Sequence, residues 1–181
     1  MSTKKTITVP LSDKDIKGLK AGDQVLLSGE IITARDQAHL RLTNMMKKGD
    51  KLPVVLKDQV IYYCGPTPAC PQQVIGSCGP TTSGRMDSFA PLLLKKGVKA
   101  MIGKGRRSGA VRRSVKKQKA VYFVAPAGAG AYLQTRVVDC KILAFEDLGA
   151  EAIYKLKVKD FPVIVAIDSR GKSIYEDSDN G

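Results

Sequence analysis

The sequence predicts an α/β domain built on a mixed sheet. Short β-rich runs alternate along the chain with stretches of helical periodicity, and no internal repeat or linker divides them. A length of 181 residues suffices to bury most of the apolar surface that the unfolded chain exposes. One domain is expected over residues 1–170, followed by a polar tail, residues 171–181, that frays.

The elements follow in order. Thr6 to Leu11 reads as an edge strand, because Pro10 has no N–H to give to a sheet ladder. Ser12, with Asp15 three positions on, has the form of a capping box opening a short helix that Ala21-Gly22-Asp23 ends. Gln24 to Thr33 is β-rich and interrupted by Gly29. Ala34 to Lys48 carries Ala38, Leu42, Met45 and Met46 at helical spacing, and Val60 to Tyr63 is a short strand.

From Gly65 to Gly84 the pattern gives way to glycine, proline, serine and threonine, as in a functional or disordered loop. Gly79 to Asp87 then leads into Phe89, Leu92, Leu93 and Leu94, the expected apolar face of a helix. Beyond it come a strand at Ala100 to Gly103, a basic helix near Ser108 to Gln118 and a strand at Ala120 to Val124. A helix opens at Pro126 to Ala131, and Val137 to Ala144 reads as a strand. Ile153 to Val158 and Pro162 to Ile167 are expected as two separate strands.

Composition narrows the class of function. No apolar run is long enough to cross a bilayer, and Met1-Ser-Thr-Lys-Lys lacks the apolar core of a signal peptide, so a cytoplasmic location is expected. Cys64, Cys70 and Cys78 are spaced C-x5-C-x7-C, which fits neither paired zinc ligands nor the usual cluster spacings. These three and Cys140 are expected as buried or loop thiols, with no metal bound by this chain. The net charge of +13 is the outlier: eleven lysines and arginines fall between Lys95 and Lys119 without one acidic residue. Such a stretch suits nucleic acid, steering of small anions, or solubility. It has little aromatic interleaving for stacking on single strands, so nucleic acid is not expected as the partner.

Three segments carry chemistry. Gly79 to Asp87 offers glycines, hydroxyls and Arg85 at the expected mouth of a helix, where backbone N–H groups and a guanidinium bind a small carboxylate or phosphate. An ordinary capped helix start with a solvated Arg85 fits the same residues. In Thr33-Ala-Arg-Asp-Gln-Ala-His39, Arg35 and His39 stand four apart and would share one helix face. His39 is the only histidine, read either as a structural residue or as a proton carrier. Gly103-Lys104-Gly105 lets the chain turn at the end of a strand and deliver an ammonium group to a cleft, without the spacing of a Walker loop.

Taken with Tyr63-Cys-Gly-Pro-Thr-Pro68, Ala125-Pro-Ala-Gly128 and Phe161-Pro-Val-Ile-Val-Ala-Ile-Asp168, these segments resemble the β subunit of class I iron-sulfur fumarate hydratase and of L-tartrate dehydratase. The resemblance spans nearly the whole chain. Its core is G-P-T-T-S-x-R-M-D followed by I-G-K-G.

The resemblance implies a swivelling β/β/α domain like the mobile domain of aconitases, docked on an α subunit that holds a [4Fe-4S] cluster through three cysteines. The complex would be a hydro-lyase acting on a C4 dicarboxylate, hydrating fumarate to malate, or else dehydrating tartrate. Motif by motif, Arg35, Arg85 and Lys104, with Thr82, correspond to substrate contacts. Thr81 corresponds to the residue proposed to take the proton, and His39 to a further active-site candidate. Where the family usually continues I-G-K-G-G, this chain has Gly105-Arg106-Arg107.

Overall fold

In the computed structural model, which describes residues 4–175, β1 (Lys5–Thr8) precedes α1 (Asp13–Gly18), β2 (Gln24–Thr33), α2 (Asp36–Lys48) and β3 (Val60–Tyr62). A 3₁₀ turn (Ser83–Met86) leads to α3 (Ala90–Lys95), β4 (Ala100–Gly103), α4 (Gly109–Gln118), β5 (Val121–Val124) and α5 (Gly130–Gln134). β6 (Val137–Ala144), a 3₁₀ segment (Glu146–Glu151) and β7 (Ile153–Ile167) follow. The α/β class and the mixed sheet expected from the sequence are both observed.

The sheet order is β1-β2-β3-β4-β5-β7-β6. β1 to β5 run parallel to their neighbours, whereas β7 runs antiparallel to β5, β6 and β2. Since β7 pairs with both β2 and β5, the strands β2, β3, β4, β5 and β7 close into a circuit. The strand period of two divides their side chains between two cores. Val60, Tyr62, Ala100, Ile102, Val121 and Phe123 enter one. Ile61, Tyr63, Met101 and Tyr122 enter the other, against Ala38 and Leu42 of α2, Leu93 of α3, and Val111 and Val115 of α4.

Local chemistry sets the element ends. Ser12 and Asp15 form the expected capping box of α1, and Gly49 closes α2 in the left-handed conformation. Gly29 does not end β2 but produces a bulge in it. Its φ is +122°, and a Cβ there would lie 2.6 Å from the Val9 carbonyl oxygen, so only glycine fits.

Several expectations are corrected. Pro10 lies outside β1, which ends at Thr8. The two closing strands are one, β7, because the break at Lys159 and Asp160 is a bulge opposite that of β2: the Asp160 N–H donates to Ser28 Oγ at 3.0 Å. The tail does not leave the fold at residue 171. Ser173 bridges to Ile167, the Ile174 N–H donates to the Ala166 carbonyl, and Tyr175 packs against the helical core. The rest of the expected tail lies outside the described residues. No helix among the described residues is long and apolar enough to cross a membrane.

Candidate functional site

The C-terminal ends of β2, β3 and β4, adjacent and parallel, deliver the three chemistry-bearing segments to one edge of the sheet. The ladder continues past the strands: the Ala34 N–H donates to the Tyr62 carbonyl, and the Tyr63 N–H to the Ile102 carbonyl. Ligands of α/β sheets bind at such an edge.

Arg35 leaves β2 as the N-cap of α2. Its Nη2 lies 3.4 Å from Glu151 Oε1 and 3.7 Å from Asp36 Oδ2. The Glu151 carboxylate also accepts the Gln37 N–H at 2.8 Å, so it sits on the otherwise unpaired amino end of α2. Arg85, in the 3₁₀ turn, donates from Nε to Asp36 Oδ1 at 2.9 Å. Its side chain is 52% exposed, and its terminal nitrogens have no partner among the described residues. Asp36 therefore gathers both guanidinium groups, a role the sequence did not suggest for it.

Lys104 joins them through backbone. It forms a parallel bridge with Thr82; its carbonyl accepts the Ser83 N–H, and its own N–H donates to Ser83 Oγ, both at 3.0 Å. That approach depends on Gly103, where a Cβ would lie 1.9 Å from Ser83 Oγ. The Lys104 ammonium group pairs with no carboxylate among the described residues. Thr81 is anchored by its N–H to the Tyr63 carbonyl at 2.8 Å, with its hydroxyl unpaired among the described residues, and Thr82 beside it is exposed.

Arg35, Thr81, Thr82, Arg85 and Lys104 thus come to one edge, with Asp36 and Glu151 added. Arg85 does not stand at a helix start, however: α3 begins at Ala90, and Thr82 to Met86 make a 3₁₀ turn instead. His39 does not share a ligand face with Arg35 either. Arg35 is extended rather than helical, and the His39 ring turns into the core, fully buried between Tyr63 and Phe89.

The His39 Nδ1–H donates to the Arg35 carbonyl at 2.7 Å, which leaves Nε2 as the unprotonated nitrogen, buried and unpartnered. Burial lowers its pKa from 6.5 to about 4, against the opposing pull of that hydrogen bond, and the nearby Arg107 charge adds to the lowering.

The basic stretch is not one cationic face. Lys99 pairs with Asp13, Lys104 belongs to the site, and Arg106 lies over the Tyr175 ring. Arg112 Nε donates to the Gly171 carbonyl. Arg107 is buried against Asp87. A cavity of about 560 Å³ lies elsewhere, lined by Val9, Glu30, Pro53, Val55 and Lys155 among others, and none of the site residues borders it.

The cysteines do not fit an iron-sulfur cluster. Cys64 and Cys78 are buried in the enclosed core, Cys140 is partly buried and Cys70 is exposed. Burial, reinforced by Cys78, pushes the Cys64 thiol far up, and burial with Cys140 pushes Cys78 to about 12. Among the described residues no three His, Cys, Asp or Glu side chains are grouped to hold a metal ion.

Comparison with known proteins places the chain in a family. A family profile described as Fumarase C-terminus matches residues 2–178. A Methanocaldococcus jannaschii protein, provisionally named as L(+)-tartrate dehydratase subunit beta, is 41% identical over 174 residues, covering 92% of this chain and 89% of that protein. Fumarate hydratase 2 of Leishmania major is 38% identical over 156 residues, covering 85% of this chain and 28% of the relative. The aerobic class I fumarate hydratase of Escherichia coli is 38% identical over 152 residues, covering 83% and 28%. The chain thus spans most of the first relative but little more than a quarter of the two hydratases. With the profile matched from residue 2 to residue 178, the chain belongs to the fumarase C-terminus family.

Proposed function

We propose that this chain is the β subunit of a two-chain hydro-lyase that hydrates fumarate to malate reversibly, at a site completed by a larger α subunit. The observation that carries the reading is the sharing of Asp36 by Arg85 and Arg35, with Lys104 laced to the same turn. Three cations on one open sheet edge suit a dianion with a carboxylate at each end. They also offset the charge that grows when a proton leaves the carbon next to a carboxylate.

In this reading Arg35, Arg85 and Lys104 bind the carboxylates and Thr82 lines the site. Thr81 presents an unpaired hydroxyl to the substrate, and a threonine takes a proton only with help from a neighbouring group, which the α subunit would supply. His39 supports rather than transfers: it is buried, neutral at pH 7, and holds the carbonyl of Arg35. The [4Fe-4S] cluster of the complex would belong to the α subunit, a reading supported by the lack, among the described residues, of three grouped metal-ligating side chains. A cytoplasmic location, no membrane and no nucleic-acid partner belong to the same reading.

Dehydration of tartrate is the second reading. It is favoured by the identity, 41% against 38%, to a protein provisionally named as a tartrate dehydratase subunit beta rather than to the fumarate hydratases. Co-expression with a candidate α subunit, anaerobic purification and assays on fumarate, malate and tartrate test both. Turnover of fumarate and malate supports the first reading and turnover of tartrate alone the second. A complex inactive on all three, or no complex, overturns them.

A further inference from the structure

Asp87 closes the 3₁₀ turn that carries Arg85, and both its carboxylate oxygens are occupied from one direction. Oδ1 accepts Arg107 Nε at 2.6 Å, and Oδ2 accepts the Ser108 N–H at 2.6 Å. The Arg107 side chain is 0% exposed and that of Asp87 17%. The guanidinium lies between two aromatic faces, 5.2 Å from the Tyr63 centroid and 4.9 Å from that of Tyr122, and Nη2 donates to the Tyr63 hydroxyl at 3.4 Å.

Desolvating such a pair is expensive, and well-packed apolar residues in its place are often as stable, so stability alone does not account for it. Its place in the fold does. One turn carries Thr81, Thr82 and Arg85, and the other carries Lys104. Ser83 and Lys104 join them at one end; Asp87, Arg107 and Ser108 join them at the other. Between these points the Tyr122 hydroxyl donates to the Gly105 carbonyl at 2.8 Å and lies 2.9 Å from Ser83 Oγ. A hydroxyl has one hydrogen, so Ser83 donates to Tyr122 while accepting from Lys104. The two turns are therefore fastened at both ends and in the middle.

We propose that Arg107 and Asp87 are positioning residues whose buried pair fixes the spacing of Lys104 and Arg85, and through it the distance between the two carboxylates the site accepts. The inference rests on the dicarboxylate reading above. It also gives Arg107 a role opposite to that of a solvent-facing docking or steering charge.

The test compares Arg107→Met, Arg107→Lys and Asp87→Asn with Val115→Ala, a truncation in the same core that controls for lost stability. In the isolated chain, amide hydrogen exchange at Ser83 and Lys104 should speed up by about tenfold or more in Arg107→Met, less in Arg107→Lys, and not in the control. In the two-chain enzyme, Arg107→Lys should raise KM for the dicarboxylate by about tenfold, with the control within about twofold. If wild type turns over no dicarboxylate, the functional reading fails, and the exchange measurement alone decides whether the pair holds the turns. If the enzyme is active and Arg107→Lys matches the control in KM, or if exchange in Arg107→Met and Arg107→Lys matches the control, the inference is overturned.

Discussion

Asp36 Oδ1 accepts Arg85 Nε at 2.9 Å although the two residues come from different elements 49 positions apart. The contact uses the inner nitrogen of the guanidinium. In the proposed reading its outer edge, the two-pronged one, takes a ligand carboxylate.

Arg85→Lys keeps the charge but loses both the planar edge and the anchor on Asp36. In the reconstituted enzyme it should cost on the order of 2 to 3 kcal/mol of transition-state stabilisation, about a hundredfold in kcat/KM. Fold and subunit association should survive, because the side chain is half exposed. Near-normal kcat/KM on fumarate, malate and tartrate alike would remove Arg85 from the site.

Isolated and incubated anaerobically with ferrous iron and sulfide, the chain should fold and acquire no iron-sulfur absorption. All four cysteines lie in the described residues, and no three metal-ligating side chains are grouped there. A cluster spectrum from this chain alone would overturn the proposed assignment of the cluster to an α subunit.

Binding to DNA or RNA should be weak, indifferent to sequence and lost steeply as salt rises. Within the basic stretch Arg107 faces inward and Lys99 is paired, so the eleven charges do not form one continuous strip. Filter binding across salt concentrations measures this. Tight binding at physiological salt would make the stretch a nucleic-acid surface.

What the sequence revealed follows from the range of the interactions involved. β4 and β6 match their expected bounds because strand patterning is local, and the α1 capping box was legible because both partners lie within one turn. The cations Arg35, Arg85 and Lys104 were legible as motifs. Asp36 was in plain view, but its role depends on a residue far away in the chain. Arg107 read as one more surface charge because nothing local marks a partner 20 positions earlier. Spacing placed His39 on the face of Arg35, whereas the extended conformation of Arg35 at the cap separates them. The 3₁₀ turn before α3 was missed because glycines, hydroxyls and an arginine suit a helix start equally well.

His39 should make stability depend on pH in a defined direction. Its pKa is about 4 in the fold and near 6.5 when unfolded, so between these values the unfolded chain carries a proton that the folded chain does not. The stabilisation is fully present above pH 6.5 and is lost as pH falls toward 4. Between pH 7 and pH 5 the loss should be on the order of 2 kcal/mol. Urea titrations of wild type and His39→Phe at both pH values isolate it: the variant should lack this component. An equal pH dependence in the two proteins would mean that His39 titrates normally in the fold.

Gly103 should tolerate no side chain while Ser83 keeps its hydroxyl. A Cβ at residue 103 would lie 1.9 Å from Ser83 Oγ and 3.2 Å from Ser83 Cβ. Gly103→Ala must therefore push the Lys104 turn away from the Ser83 turn, at a cost of about 1 to 3 kcal/mol in stability. Ser83→Ala removes the clashing oxygen along with two hydrogen bonds, one from the Lys104 N–H and one to Tyr122. It is destabilising by itself, by roughly 1 to 3 kcal/mol. In the double variant the two losses should not add: Gly103→Ala should cost less on the Ser83→Ala background, by on the order of 1 kcal/mol. The tight contact with the Tyr63 ring, 2.9 Å from the same Cβ position, keeps the rescue incomplete. Chemical denaturation of the four proteins measures the coupling, and strict additivity would show that the close approach of these two turns is not what requires glycine at residue 103.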